Sequence, residues 1–382
     1  MIYTLEKTGA DKMNQSKPER LVSLDVFRGA TIAAMIMVNN PGSWSDVYAP
    51  LLHATWHGWT FTDLIFPFFL FIVGVAIVYA FSKKLGGDIP KKSLYIKIVR
   101  RTLILFGLGL FLNGFPYFEL NTLRIPGVLQ RIAVCYFFAS LIYLNAGKRA
   151  QWIWVIGLLF VYWILMAWIP VPGLGRGVLE KGQNFSAYID SIFLKGHMWS
   201  YTKTWDPEGI ISTLPAIATT LFGVFTGMLL RSEKSKIEKT AHMLLWGNLA
   251  LWIGMIWHMW LPINKNIWTS SYTVFMAGMA LIVLAFCYYI VDVRGYQKWT
   301  RPFVIYGMNA ISIYVLSGVL ARLLDLITVD SEGTTLKTWI YQIFFASWLS
   351  PKPASLVFAL CFVLVLFAVS WLLYRKKIFI KV

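Results

Sequence analysis

An all-α, polytopic membrane helical bundle of about ten transmembrane helices, with both termini cytoplasmic, is the fold this sequence predicts. Three observations predict it. The chain has 382 residues, of which 58% are hydrophobic and only 14% charged, more apolar than a soluble domain needs. The apolar residues fall into blocks near the ~20 residues that cross a bilayer. Lysines and arginines gather in alternate connections between those blocks.

Taken in order, the predicted spans are 22–40, 61–82, 102–118, 126–145, 151–170, 210–230, 241–261, 268–291, 303–325 and 354–374. The aromatic stretch 336–350, "LKTWIYQIFFASWLS", is too short to cross and is expected to be interfacial or re-entrant. Segments 1–20, 83–101, 146–150, 231–240, 292–302 and 375–382 hold 24 of the 35 Lys and Arg. The alternate connections hold eight, and Arg28, Arg131 and Arg322 lie within spans. The positive-inside rule therefore puts the first set in the cytoplasm. An eleventh span at 336–350 would move "YRKKIFIKV" to the other side, against the rule. The organisation that follows is a tail at 1–20, a membrane domain at 21–375 with an outer loop at 171–208, and a tail at 376–382. The first 20 residues contain no apolar run, so no cleaved signal peptide is expected. Small residues in "GVFTG" at 223–227 suit close helix contact.

The net charge of +17 lies in the loops and forms no continuous basic face, so nucleic acid is not an expected partner. Cys135, Cys287 and Cys361 all lie in spans and read as core residues without a disulfide. Neither they nor the five histidines show ligand spacing, so no metal is expected.

Polar residues collect on the predicted outer face. "LLHATWHGWTFTDLIFPFFLF" at 51–71 sets His53 and Asp63 at the threshold of the second span, where titratable groups are costly. Asn39 ends the first span. Arg124, Gln130 and Arg131 begin the fourth, Asp206 and Glu208 precede the sixth, and Asn264, Lys265 and Asn266 join the seventh to the eighth. Five segments thus bring polar groups to one depth, which points to a shared site. On the opposite face Asp25 and Arg28, three residues apart, share a helix face and can pair. They form an orienting ion pair or, alternatively, offer an anion-binding guanidinium.

In order along the chain, "RLVSLDVFRGATIAAMIMVN", "LLHATWHGWTFTDLIFPFFLFIVG", "RIPGVLQRIAV", "DPEGIISTL", "INKNIWTSSY" and "GMNAISIYV" resemble the heparan-alpha-glucosaminide N-acetyltransferase family. "RIPGVLQR" together with "DPEG" is the most specific part, and the resemblance runs from about residue 20 to 320. It implies a chain without the luminal domain and additional first span of the lysosomal enzyme. It implies acetyl transfer across a membrane, from cytoplasmic acetyl-CoA to the amine of a glucosamine on the far side. It also implies a homodimer and, for a bacterial relative, the inner membrane, with lipid around it. The family's catalytic histidine matches His53 in "HATWHG", and its asparagine at the end of the corresponding span matches Asn39. The asparagine that follows in the family is His57 here, which argues against an essential role for His57. Coenzyme A carries phosphates, so Arg28 at the cytoplasmic mouth is the expected coenzyme contact, in a set with Asp25, Gln130, Arg131 and Asn309. Asp206 and Glu208 are expected to bind the sugar hydroxyls or ammonium, in a set with Trp56, Asn264 and Asn266.

An amine must be neutral to attack a thioester, and a histidine of ordinary pKa ~6.5 can take its proton. His53 is the candidate base, or the acceptor of the acetyl group in a two-step route. Asn39 is the candidate donor to the developing oxyanion, and Asp63 either orients the imidazole or caps the second span. His197, His242 and His258 have no such support and are expected to be structural. Two other readings stay open. A transporter of amino sugars would also place ionisable groups in spans, and the same pocket could O-acylate an envelope polysaccharide.

Overall fold

The computed structural model describes residues 21–85 and 90–380. The predicted tail at 1–20 and the last two residues lie outside them. The described residues form helices joined by loops, with three isolated bridges and no strand. The helices are α1 (Val22–Asn39), α2 (Phe61–Leu85), α3 (Lys91–Gly114), α4 (Val128–Asn145), α5 (Lys148–Trp168) and α6 (Phe185–Phe193). They continue with α7 (Thr213–Leu230), α8 (Lys236–His258), α9 (Ser270–Tyr288), α10 (Arg301–Met308), α11 (Ala310–Leu326), α12 (Leu336–Tyr341) and α13 (Pro351–Arg375).

A helix stands on each of the ten predicted spans. Seven are long and apolar enough to cross a membrane, and α10 with α11 makes an eighth if that bent pair is one span. The predicted straight span at 303–325 is the main departure. It breaks at Asn309, where α10 and α11 meet at 79°. Asn309 has φ −120° and ψ 32°, outside helical values. Its buried side chain donates to the Ile378 carbonyl and accepts from the Ile380 amide, so the chain's last described turn fills the break. The stretch at 336–350 contains six-residue α12 and a π-turn, far shorter than a span.

Glycines let the central helices touch. A Cβ on Gly74 of α2 would lie 1.9 Å from the Thr220 carbonyl oxygen of α7, and one on Gly223 would lie 2.0 Å from that of Phe71. Gly223 and Gly227, from "GVFTG", thus permit the α2–α7 crossing as their size suggests. Gly29 and Gly307 do the same for α1 on α10. The core around this centre includes Phe71, Leu70, Ile77, Leu221 and Val224, all essentially inaccessible.

One pair of neighbours departs from this close packing. Only Ala146 and Gly147 separate α4 from α5, and helices joined so tightly ordinarily pack as an antiparallel hairpin. Here each packs on α7 instead of on the other. A cleft therefore opens between them, with α7 as its floor.

Candidate active site

The sequence around His53 dictates its own geometry. Phe61 opens α2, so Asp63 stands in its first turn, where it caps the helix by accepting the Thr60 amide at 2.9 Å. The same carboxylate accepts the Ala54 amide at 3.0 Å and meets His53 Nδ1 at 2.6 Å. Asp63 is thus both cap and orienting group. The side chain of Asp63 is 1% exposed and that of His53 is 47% exposed. With Nδ1–H donated to Asp63, Nε2 of His53 is left as the free, basic nitrogen on the open side of the ring. Tyr272 of α9 donates to the Asp63 carbonyl at 2.6 Å, tying this turn to the bundle.

Two loops converge on this turn. Trp56 donates from its indole to the Leu179 carbonyl at 2.9 Å and stands edge-on to Trp205, centroids 5.2 Å apart. The Gly58 amide donates to the Ile263 carbonyl at 2.7 Å. Asn264 is fully buried and spends its carbonyl oxygen on the Asn266 and Ile267 amides, an Asx turn that shapes the α8–α9 loop. Its amide nitrogen lies 3.3 Å from His57 Nδ1. Asn266 remains half-buried at the loop surface.

The "DPEG" turn supplies the acidic side. Arg124 donates to Asp206 through Nε at 2.8 Å and Nη2 at 2.6 Å, and Nη2 also reaches Glu208 at 2.6 Å. Burial alone would raise the Glu208 carboxyl, but Arg124, Lys265 and Arg131 together hold it below its usual value. Beneath the turn lies Asp190 of α6, which accepts the Asp206 amide at 3.2 Å and the Ile210 amide at 2.9 Å. Burial pushes its carboxyl up to about 6. A Cβ at position 209 would lie 2.0 Å from that carboxylate, so the turn needs Gly209.

These groups act on one another. The Lys265 ammonium, and then burial, hold the His53 imidazole below its ordinary value, against the opposite pull of Asp63 and Glu208. His53 is therefore neutral near pH 7, as a base must be. Sequence alone places Lys265 in the outer polar cluster but gives it no role, because nothing in its neighbours signals that its charge acts on an imidazole about 200 positions away. Asp190 gave no signal at all.

Two spaces adjoin the cluster and share Gln130. A polar chamber of about 260 Å³ is lined by Asn39, Asn113, Arg124, Gln130, Tyr314 and Arg322. Asn39 is exposed at the end of α1 and opens onto this chamber. Among the described residues it makes no hydrogen bond to His53. The second space is the α4–α5 cleft, about 800 Å³, whose wall includes Gln130, Arg131 and Glu208. Arg131 is 2% exposed. It donates to the Gly209 carbonyl and the Ser212 hydroxyl, with its guanidinium 5.3 Å above the Trp268 ring.

Other predicted residues stand apart. Asp25 and Arg28 pair at 3.2 Å near the far end of α1, beside α10. Asn309 sits at that end too, holding the tail. His197 and His258 serve the backbone, at the Leu123 carbonyl and the Ile263 amide. The three cysteines are unpaired, and no group of three or more metal-ligating side chains comes together among the described residues.

Comparison with known proteins bears on this arrangement. The chain is 28% identical over 420 aligned positions to heparan-alpha-glucosaminide N-acetyltransferase of Homo sapiens, covering 96% of this chain and 60% of that protein. It is 27% identical to the Mus musculus protein of the same name, covering 96% and 61%. The chain thus spans about 60% of the length of these relatives. A family model described as "Heparan-alpha-glucosaminide N-acetyltransferase, catalytic" matches residues 20–259, which include α1 to α8, His53, Asp63 and the "DPEG" turn. By that match over more than half its length, the chain belongs to the heparan-alpha-glucosaminide N-acetyltransferase family.

Proposed function

We propose that this protein is a membrane acyltransferase that moves an acetyl group from acetyl-CoA to the amine of a glucosamine-type sugar, with His53 as general base. The observation that carries this reading is the His53–Asp63 pair. A neutral imidazole is locked in the tautomer that frees Nε2, and it stands among cationic and anionic groups from three other segments. In the transfer the amine nitrogen attacks the thioester carbonyl, the N–C bond forms and the C–S bond breaks. His53 Nε2 takes the proton lost by the amine and returns it to the departing thiolate. General-base help of this kind is worth about 10²–10⁴ in rate.

Asn39 lines the polar chamber. It is the proposed donor to the oxygen that becomes negative, worth about 3 kcal/mol. Asp206 and Glu208, with Trp56 and Asn266, form the sugar side. Asn264 shapes the loop that carries Lys265. The nucleotide end of the donor is assigned to the Arg28 end of the bundle, with the bend at Asn309 beside it. α3 and α8 complete ten crossings. The beginning of α1 and the segment after α13 both contact or adjoin α10, which favours an even number of crossings and a common, cytoplasmic side for both. An inner-membrane homodimer completes the reading.

Purified protein given acetyl-CoA and glucosamine should release CoA and form the N-acetyl sugar, measured by thiol titration and mass spectrometry. His53→Ala should slow release by at least about 10². Equal rates in the variant and the parent protein would remove His53 from the reaction. An ester product would favour O-acylation, and uptake of sugar into vesicles without acetyl-CoA would favour a transporter.

A further inference from the structure

The α4–α5 cleft shares Glu208 with the sugar side proposed above, but its long apolar part has no role there. Its lining extends along α4 from Gln130 to Asn145, about 23 Å at ~1.5 Å per residue, most of the depth of a bilayer's hydrocarbon layer. Apart from Asn145 at its base, the long walls are apolar: Phe106, Leu141, Leu158 and Ile217 among them. Phe138 and Trp154, on its two rims, are 46% and 51% exposed, so the cleft opens sideways toward lipid. The polar lining gathers at the end nearest His53, with Gln130, Arg131 and Glu208.

That end is chemically incomplete. Arg131 is buried over the Trp268 ring, and among the described residues Nε and Nη1 of its guanidinium have no hydrogen-bond partner, nor has Nε2 of Gln130. Among the described residues no carboxylate forms an ion pair with Arg131. A buried cation with unused donors is costly unless an anion completes it. A free sugar would need neither a long apolar trough nor a buried guanidinium.

On the acyltransferase reading, we infer that the acceptor is an amphiphile, an amino sugar joined through phosphate to a long hydrocarbon chain, whose chain lies in the α4–α5 cleft and whose phosphate meets Arg131 and Gln130. The substrate enters from the bilayer between α4 and α5. Glu208, shared by the cleft wall and the field around His53, brings the sugar amine to the base. Bonds exchange as in the transfer already described, and the phosphate and chain are unchanged.

The experiment uses the intact protein in lipid nanodiscs with radiolabelled acetyl-CoA and two acceptors, free glucosamine and glucosamine phosphate-linked to a farnesyl chain. The expected result is a KM at least about tenfold lower for the prenyl-linked acceptor, because each buried methylene adds affinity. Leu158→Trp, which fills the cleft, should lower the prenyl-linked to free ratio of kcat/KM by about tenfold. Leu141→Phe is the milder second variant should the first not fold, and it should lower the same ratio in the same direction. Similar KM values for the two acceptors, or an unchanged ratio in both variants, would overturn the inference while leaving the acyltransferase intact. A photoreactive phospholipid that labels the cleft as heavily as a photoreactive prenyl-linked sugar would overturn it too. Failure to acetylate either amine would instead sink the acyltransferase reading, and this inference with it.

Discussion

The two ends of the bundle are built on different electrostatic plans. At the Arg28 end the ion pair is local: Arg28 pairs with Asp25 three residues away, on one turn of one helix, while Asp292 accepts the Ser23 amide from 269 positions away. At the His53 end, charge is met across the chain. Arg124 is held by carboxylates 82 and 84 residues away, and His53 by one ten residues away on another element. A local pair orients a helix end and costs little. Cross-chain pairs between buried groups exist only once the bundle has folded, and they lose heavily if one member is removed. The comparison teaches that at the His53 end tertiary structure holds buried ion pairs in place, as the proposed active site requires.

The sharpest way to break this contrast is Asp63→Asn. The asparagine keeps the size of the side chain but offers an N–H where His53 Nδ1–H now donates. Loss of the correct tautomer should reduce transfer by about 10²–10⁴, read as kcat for CoA release. If Asp63 is only a cap, activity will persist and stability will fall by about 1 kcal/mol. Next in size is Arg124→Met. It strands Asp206 and Glu208, whose side chains are 0% and 6% exposed. A loss of about 3–5 kcal/mol is expected, measured as a lowered thermal midpoint in detergent. By contrast, Arg28→Met at the other end should cost no more than about 1 kcal/mol. Equal losses at the two positions would erase the distinction.

A smaller effect is expected from Lys265→Met, and its sign is fixed. Lys265 lowers the imidazole pKa of His53, and the base works only when neutral. Removing the ammonium raises that pKa, so the acidic limb of the kcat/KM profile should move to higher pH. A limb that stays in place or moves to lower pH would detach Lys265 from the site.

The bundle was legible because its signals are local and repeated. Apolar blocks mark the helices. The bend at Asn309 was not legible, since the residues that fill it, Ile378 and Ile380, lie some seventy positions away. In the site, His53 and Asp63 could be paired from sequence because ten residues and one helix start separate them. Arg124 and the "DPEG" turn were visible as polar punctuation, but their mutual bonds depend on how α3, α4 and α7 meet. The splaying of α4 from α5 contradicts what a two-residue connection suggests, and only α7's grip on both explains it.

Trp56 has a mechanical consequence. Its indole is fastened to Leu179 and seated against Trp205, while two residues on Gly58 is fastened to Ile263. The histidine's loop, the long 171–208 connection and the α8–α9 loop therefore form one raft. A lid made from any of them could not lift without dragging the imidazole away from the reacting atoms. On the acyltransferase reading, this favours passage of acceptor and product beneath that raft, through gaps in the helix wall.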